Sequence, residues 1–211
     1  MRLAAWGGVA ALGLVLLATA GGWLVTDGPL GRGAGGRAVA TGPASLPIGG
    51  PFRMTDAATG REVTEADFRG RPMAVFFGFA HCPDVCPTAL TDMAGWMAAL
   101  GEADAARVRW VFASVDPARD TPGALREYMK AFDPRIAALT GTEAQVAAMA
   151  RAWRVVYRRA PTGPGPDDYT MDHSASVFLH DAAGRFAGTV DPEEPERAAL
   201  EKLRLLAARA G

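Results

Sequence analysis

An α/β sandwich behind an N-terminal transmembrane helix is the fold class predicted by three features of this 211-residue sequence. Two apolar runs of strand length stand at residues 73–79 and 109–115, as buried central strands require. Segments with apolar residues at helical spacing alternate with them. Residues 3–26 carry no charge and are rich in Ala, Leu, Gly and Val. At ~1.5 Å per residue that stretch can cross a hydrocarbon core of ~30 Å.

The elements follow in chain order. Residues 1–26 are predicted to be a membrane anchor or a signal peptide. Ala18-Thr19-Ala20 before Gly21 has the small-x-small form of a cleavage site, but the apolar run continues through Trp23, Leu24 and Val25, which favours the anchor. A tail of two residues before the span puts its N-terminus inside and the domain outside the cytoplasm. Residues 27–50 are Gly-rich, with Pro, Ala and Thr, and read as a flexible tether. The globular domain is assigned to residues 51–211.

Within it, residues 52–64 read as a small hairpin around Ala57-Ala58-Thr59-Gly60. Residues 73–79 form a buried strand. Val85, Ala89, Leu90, Met93, Met97 and Leu100 then recur at helical spacing. Residues 109–115 form the second buried strand. Asp120 or Thr121, with Pro122 early where its missing N–H costs nothing, opens a helix to about Phe132. Thr142 can cap a helix ending at Trp153, and residues 155–159 suit a strand. Residues 176–190 form a hairpin about Asp181-Ala182-Ala183-Gly184, and residues 194–210 close the chain as a helix. This order fits a thioredoxin-like sandwich, although the alternation alone suits several α/β folds.

Composition excludes several function classes. Lys and Arg number 22 against 23 Asp and Glu, a net charge of −1, which argues against nucleic-acid binding. Two cysteines cannot build a disulfide scaffold, a four-thiolate zinc site or a cysteine-bound iron–sulfur cluster.

Both cysteines, Cys82 and Cys86, fall at the junction between the first buried strand and its helix. A helix N-terminus offers free N–H groups and positive potential, which favour thiolates. Thiolates select soft metals, copper(I) among them. On a regular helix, residues four apart have Cβ atoms ~5–6 Å apart, wider than the ~3.8 Å of a disulfide. A metal ion spans that gap with less strain, yet Pro83 and Pro87 make the turn irregular, so the pair can also oxidise. A plain structural disulfide is the third reading.

A metal on two thiolates needs another donor, and the chain has three histidines. His81 adjoins Cys82 but points elsewhere. His180 lies within the late hairpin. His173 stands in a loop entering a strand, beside the cysteine turn in such a sandwich, where a thioredoxin carries a cis-proline. No proline occurs between Pro166 and Pro192, which leaves His173 free for metal. Met93 and Met97 read as core from their spacing, and Met171 as packing. The turn from Asp116 to Pro122 reads as a strand exit and helix cap, with Asp116 behind the metal's ligands as the alternative. Arg158 and Arg159 read as a solvated strand end.

Three blocks carry a family resemblance. They are Phe77-Gly78-Phe79-Ala80-His81-Cys82-Pro83-Asp84-Val85-Cys86-Pro87, Ser114-Val115-Asp116-Pro117-Ala118-Arg119-Asp120-Thr121-Pro122 and Tyr169-Thr170-Met171-Asp172-His173-Ser174. In this order the chain resembles the Sco/SenC family, copper chaperones for synthesis of cytochrome c oxidase, over about residues 45–208. The resemblance implies a thioredoxin-like fold and one copper ion, Cu⁺ or Cu²⁺, held by Cys82, Cys86 and His173. It implies delivery to the binuclear copper A centre in oxidase subunit II. The implied partners are that subunit and other copper chaperones, and the implied location is the bacterial inner membrane, single-pass, with the domain on the periplasmic side. The rival function is a thiol–disulfide reductase, with Cys82 and Cys86 as its redox-active pair, keeping the oxidase's copper-site cysteines reduced. A copper or redox sensor is another alternative. A peroxidase is disfavoured because no Pro-Thr-Cys nucleophile pattern is present.

Overall fold

A computed structural model of the chain describes residues 48–209. The anchor expected at residues 1–26, and all of the tether except residues 48–50, lie outside the described residues. Among the described residues no helix is long and apolar enough to cross a membrane.

A seven-stranded mixed sheet organises the domain. Strand β1 (Arg53–Asp56) turns into β2 (Glu62–Thr64) as the expected hairpin. The strand β3 (Met73–Gly78) is buried along its whole length. Helix α1 (Val85–Leu100) and the short α2 (Glu102–Ala105) lead to β4 (Arg109–Ser114), which pairs parallel to β3. Helix α3 (Pro122–Met129) leads to β5 (Ile136–Thr140), parallel to β4. Helix α4 (Glu143–Trp153) precedes a separate two-stranded ribbon of β6 (Tyr157–Pro161) and β7 (Tyr169–His173). The hairpin β8 (Val177–His180) and β9 (Phe186–Val190) then joins β3 antiparallel, and α5 (Glu196–Ala208) ends the fold. The sheet order is β2-β1-β5-β4-β3-β8-β9.

Local chemistry explains the main elements. In α1, Cys86, Leu90, Met93 and Met97 are the buried residues, at steps of four, three and four, so they form one stripe against the sheet. Met93 and Met97 are core, as their spacing predicts. Thr121 caps α3 by accepting from the Ala124 N–H, with Pro122 at the first turn. Thr142 and Gln145 cap α4 reciprocally. Phe76, Phe77 and Phe112 pack fully buried between the layers.

Two elements differ from the sequence reading. Strand β5 was not anticipated, because Ile-Ala-Ala-Leu-Thr shows no alternation; it is a strand because it is sandwiched between β4 and β1. The segment around His173 is strand β7 rather than a loop entering a strand. The ribbon it forms with β6 buries only Met171, so no apolar pattern marks it.

Candidate metal centre

Strand β3 ends at Gly78, and the chain turns through residues 79–84 before α1 begins. The Cys82 N–H donates to the Phe79 carbonyl at 3.3 Å, which closes the turn. Cys82 therefore precedes the helix, and Cys86 lies in its first turn. The spacing expected for two residues on one regular helix does not apply. Instead the Cys86 N–H, an otherwise unpaired helix donor, points at Cys82 Sγ at 3.4 Å. Both cysteines are free thiols, Cys82 half-buried and Cys86 wholly buried.

The third donor arrives from the ribbon. His173 ends β7, and its Nε2 lies 3.6 Å from Cys86 Sγ. Its Nδ1 lies 3.0 Å from the Ser174 carbonyl, which can only accept. Nδ1 is therefore the donor, and in the neutral ring Nε2 keeps its lone pair facing the sulfurs. The rings of Phe79 and Phe76 stand edge-on to the imidazole at 5.7 and 6.0 Å and fix its plane. One donor atom from each of Cys82, Cys86 and His173 lies within 4.8 Å of the others. With bonds of ~2.3 Å to sulfur and ~2.0 Å to nitrogen, as for zinc, a trigonal ion needs donors roughly 3.7–4.0 Å apart. A small contraction closes the site, and the set is soft enough for copper(I) with a nitrogen for copper(II).

Burial reverses one electrostatic expectation. The helix terminus was expected to favour a thiolate, but loss of water around Cys86 pushes its thiol far up, and Cys82 and Asp120 push it further. A hydrogen bond to the Phe79 backbone lowers it but does not offset the burial. Burial thus favours the thiol form of Cys86, and a metal that binds the thiolate must displace the proton.

Glycine at 78 is required by the site. A Cβ there would lie 2.9 Å from Cys86 Sγ and 2.8 Å from the Phe112 ring. The sequence reading missed this role; a glycine ending a buried apolar strand was the available signal.

Two aspartates organise the surroundings. Asp120 is buried, and its Oδ2 accepts from Ser114 Oγ at 2.6 Å and from the Ala80 N–H at 3.0 Å. It thereby pins the turn before Cys82, and burial holds its carboxyl above the ordinary range. The sequence offered Asp120 only as a helix cap, a part Thr121 plays. Asp116, a strand-exit residue in the sequence with a place behind the metal ligands as its other reading, directs its carboxylate to the ribbon. It accepts from the Tyr169 hydroxyl at 2.9 Å and pairs with the Arg119 guanidinium. Arg119 also donates to the Tyr169 carbonyl at 3.0 Å and stacks 3.8 Å over its ring. Asp116 and Arg119 thus hold the strand that carries His173, at a residue four positions from it.

The other candidates lie apart. His81 is exposed, with Nδ1 4.0 Å from Asp120 Oδ1. His180 is buried, bonded to the Ile48 carbonyl at 3.1 Å and packed on Trp153 with ring centroids 4.1 Å apart. Met171 is core. Arg158 pairs with Asp172 at the surface, while Arg159 pairs with Glu143 and lies over the Tyr169 ring at 4.7 Å.

Comparison with known proteins decides the family. The SCO1/SenC family model matches residues 40–208. The chain belongs to the SCO1/SenC family. It is 39% identical over 161 residues to "Protein SCO2, mitochondrial" of Saccharomyces cerevisiae, covering 76% of this chain and 53% of that protein. It is 39% identical over 147 residues to "Protein SCO1 homolog, mitochondrial" of Homo sapiens, covering 66% and 46%. The chain spans about half the length of these two relatives. Among solved structures, Bradyrhizobium japonicum ScoI with copper bound shares 41% identity and a TM-score of 0.68, over 75% of this chain and 99% of that one. Yeast Sco1 with copper bound shares 34% identity and a TM-score of 0.69, over 75% and 87%. The thioredoxin-like α/β fold expected from the element order is the fold of this SCO1/SenC chain.

Proposed function

We propose that this SCO1/SenC domain binds one copper ion through Cys82, Cys86 and His173 and delivers it to the binuclear copper A centre in subunit II of cytochrome c oxidase. The observation that carries the reading is the convergence of two sulfurs and a lone-pair-bearing imidazole nitrogen within 4.8 Å, from segments 87 residues apart in sequence. The copper-bound structures of two relatives support copper as the ion. Three donors with Cys82 half-exposed suit a carrier, which must release its cargo to a partner's ligands. Residues 1–26 anchor the chain in a bacterial inner membrane, residues 27–50 tether it, and residues 51–211 work on the periplasmic side. Other copper chaperones load it.

A copper titration of the reduced full chain tests the reading. One ion should bind per chain, and prior oxidation to a Cys82–Cys86 disulfide should abolish binding, since the disulfide removes both thiolates. Equal binding by oxidised and reduced chain would exclude the two-cysteine site.

The pair also supports a second reading, a thiol–disulfide reductase. Cys82 is the more accessible sulfur and receives the Cys86 N–H. Its thiolate attacks a partner disulfide and releases one partner thiol. Cys86 then attacks Cys82, releasing the second thiol and leaving the Cys82–Cys86 disulfide; two electrons and two protons pass to the partner.

A further inference from the structure

Beside the metal centre lies a groove of about 540 Å³ that metal binding does not use. It runs from the first turn of α1, along that helix, to the loop between β9 and α5. Its lining includes Val85, adjoining Cys86, and Ala175, two residues after His173. The floor is apolar. Val177 and Val190 are buried, Trp96 is half-buried, and Val85 is 41% exposed.

The rim is acidic, and no Lys, Arg or His side chain lines it. Lys202 neutralises Glu194 at 2.7 Å. Asp84, Asp92, Asp191 and Glu196 have no Lys or Arg nitrogen within ion-pair distance among the described residues. Burial and the neighbouring Glu196 hold the Asp92 carboxyl above its ordinary range. The whole chain is nearly balanced, at 22 basic and 23 acidic residues, so this is a local segregation of charge. Carboxylates gathered on an apolar floor repel one another until a counter-charge arrives.

We propose that this groove docks an extended segment of the metal-exchanging partner, one that carries Lys or Arg alternating with apolar residues. The apolar side chains lie on Trp96 and Val85, and the cations face Asp92, Asp191 and Glu196. Because the lining includes Val85, which adjoins Cys86, a partner held there has its own donor atoms beside the metal centre. This inference rests on the metal-exchange reading above and names its partner's chemistry.

The test uses the isotope-labelled full chain in a neutral detergent. The probe is the peptide acetyl-Lys-Val-Lys-Val-Lys-Val-Lys-amide, with a counterpart carrying Glu at each Lys. Amide signals of Val85, Thr88, Asp92, Trp96 and Asp191 should shift with the Lys peptide alone. Binding should weaken as the Debye length falls from about 30 Å at 0.01 M salt to about 8 Å at 0.15 M. Combined Asp92→Asn, Asp191→Asn and Glu196→Gln should weaken it about tenfold and leave copper uptake unchanged. Shifts confined to another face, equal binding of the Glu peptide, or no loss in the triple variant overturns the proposal. So does self-association that the triple variant abolishes, because a second copy would then own the groove. Failure of the wild-type chain to bind copper would instead remove the carrier reading, and the peptide titration would still report on the groove.

Discussion

The Tyr169 hydroxyl donates to Asp116 Oδ1 at 2.9 Å, a bond that ties the His173-bearing strand to the loop after β4 across 53 residues of sequence. The Arg119 guanidinium, paired with Asp116 and stacked on Tyr169, makes this a three-residue clasp. A contact outside the candidate metal site thus helps position His173, its candidate third ligand.

Tyr169→Phe keeps the ring and the Arg119 stack but deletes the hydroxyl. Losing a hydrogen bond to a charged group should cost about 1.5–3 kcal/mol in denaturant unfolding. Copper(II) affinity should fall with it, because His173 is less firmly held, while copper(I) on the two cysteines should change little. Unaltered copper(II) affinity alongside the stability loss would mean that the clasp only stabilises the fold.

His173→Ala separates carrier from reductase. Copper(I) should still bind, more weakly, since two thiolates can hold it in near-linear geometry. Copper(II) binding should fail or change its spectrum for want of a nitrogen. Thiol–disulfide exchange should be nearly unchanged. Oxidase assembly in a null background under limiting copper should fail almost as badly as with Cys82→Ser or Cys86→Ser. Normal assembly with His173→Ala and failure with both cysteine variants would leave the reductase reading standing.

Copper uptake should release the Cys86 proton, so affinity should fall as pH drops. The same thiol also affects the stability of the metal-free fold. Burial raises it above its ordinary 9.0, so the folded state holds the proton longer than the unfolded chain. Its contribution is complete below about pH 9 and is lost as pH rises toward the folded value, at ~1.4 kcal/mol per pH unit. Unfolding free energies of the metal-free chain at pH 8 and 10 should fall more steeply than those of Cys86→Ala. Equal slopes would show that Cys86 is not the titrating group.

Gly78→Ala puts a methyl 2.9 Å from Cys86 Sγ. The overpacking should cost about 1–3 kcal/mol and weaken copper binding by displacing Cys86. A variant with wild-type melting and affinity would show that the strand end adjusts freely.

Much of this was legible from residue patterns. The buried strands β3 and β4 announced themselves as apolar runs, and α1 by its stripe of Leu90, Met93 and Met97. Cys82 and Cys86 were visible as a site because they sit where a strand becomes a helix. Strand β5 was not visible, since its Ala-rich sequence acquires strand geometry only from the neighbours that hydrogen-bond it. Nor was β7, whose half-solvated faces carry no alternation, although its partner β6 lies close to the strand expected at residues 155–159.

The sequence by itself determined the layers, the cap at Thr142, and which residues are chemically able to bind metal. Those properties depend on neighbours a few positions apart, and local periodicity encodes them. The choice of His173 over His81 and His180 was already legible in the sequence; the tertiary structure decided the contact that brings its Nε2 to Cys86, and that Asp116 serves the ribbon while Asp120 serves the cysteine turn. It also decided that Cys86 is buried, which raises its thiol. Each of these depends on long-range packing: burial raises the thiol, and contacts between residues 6 to 87 positions apart direct the carboxylates and the imidazole.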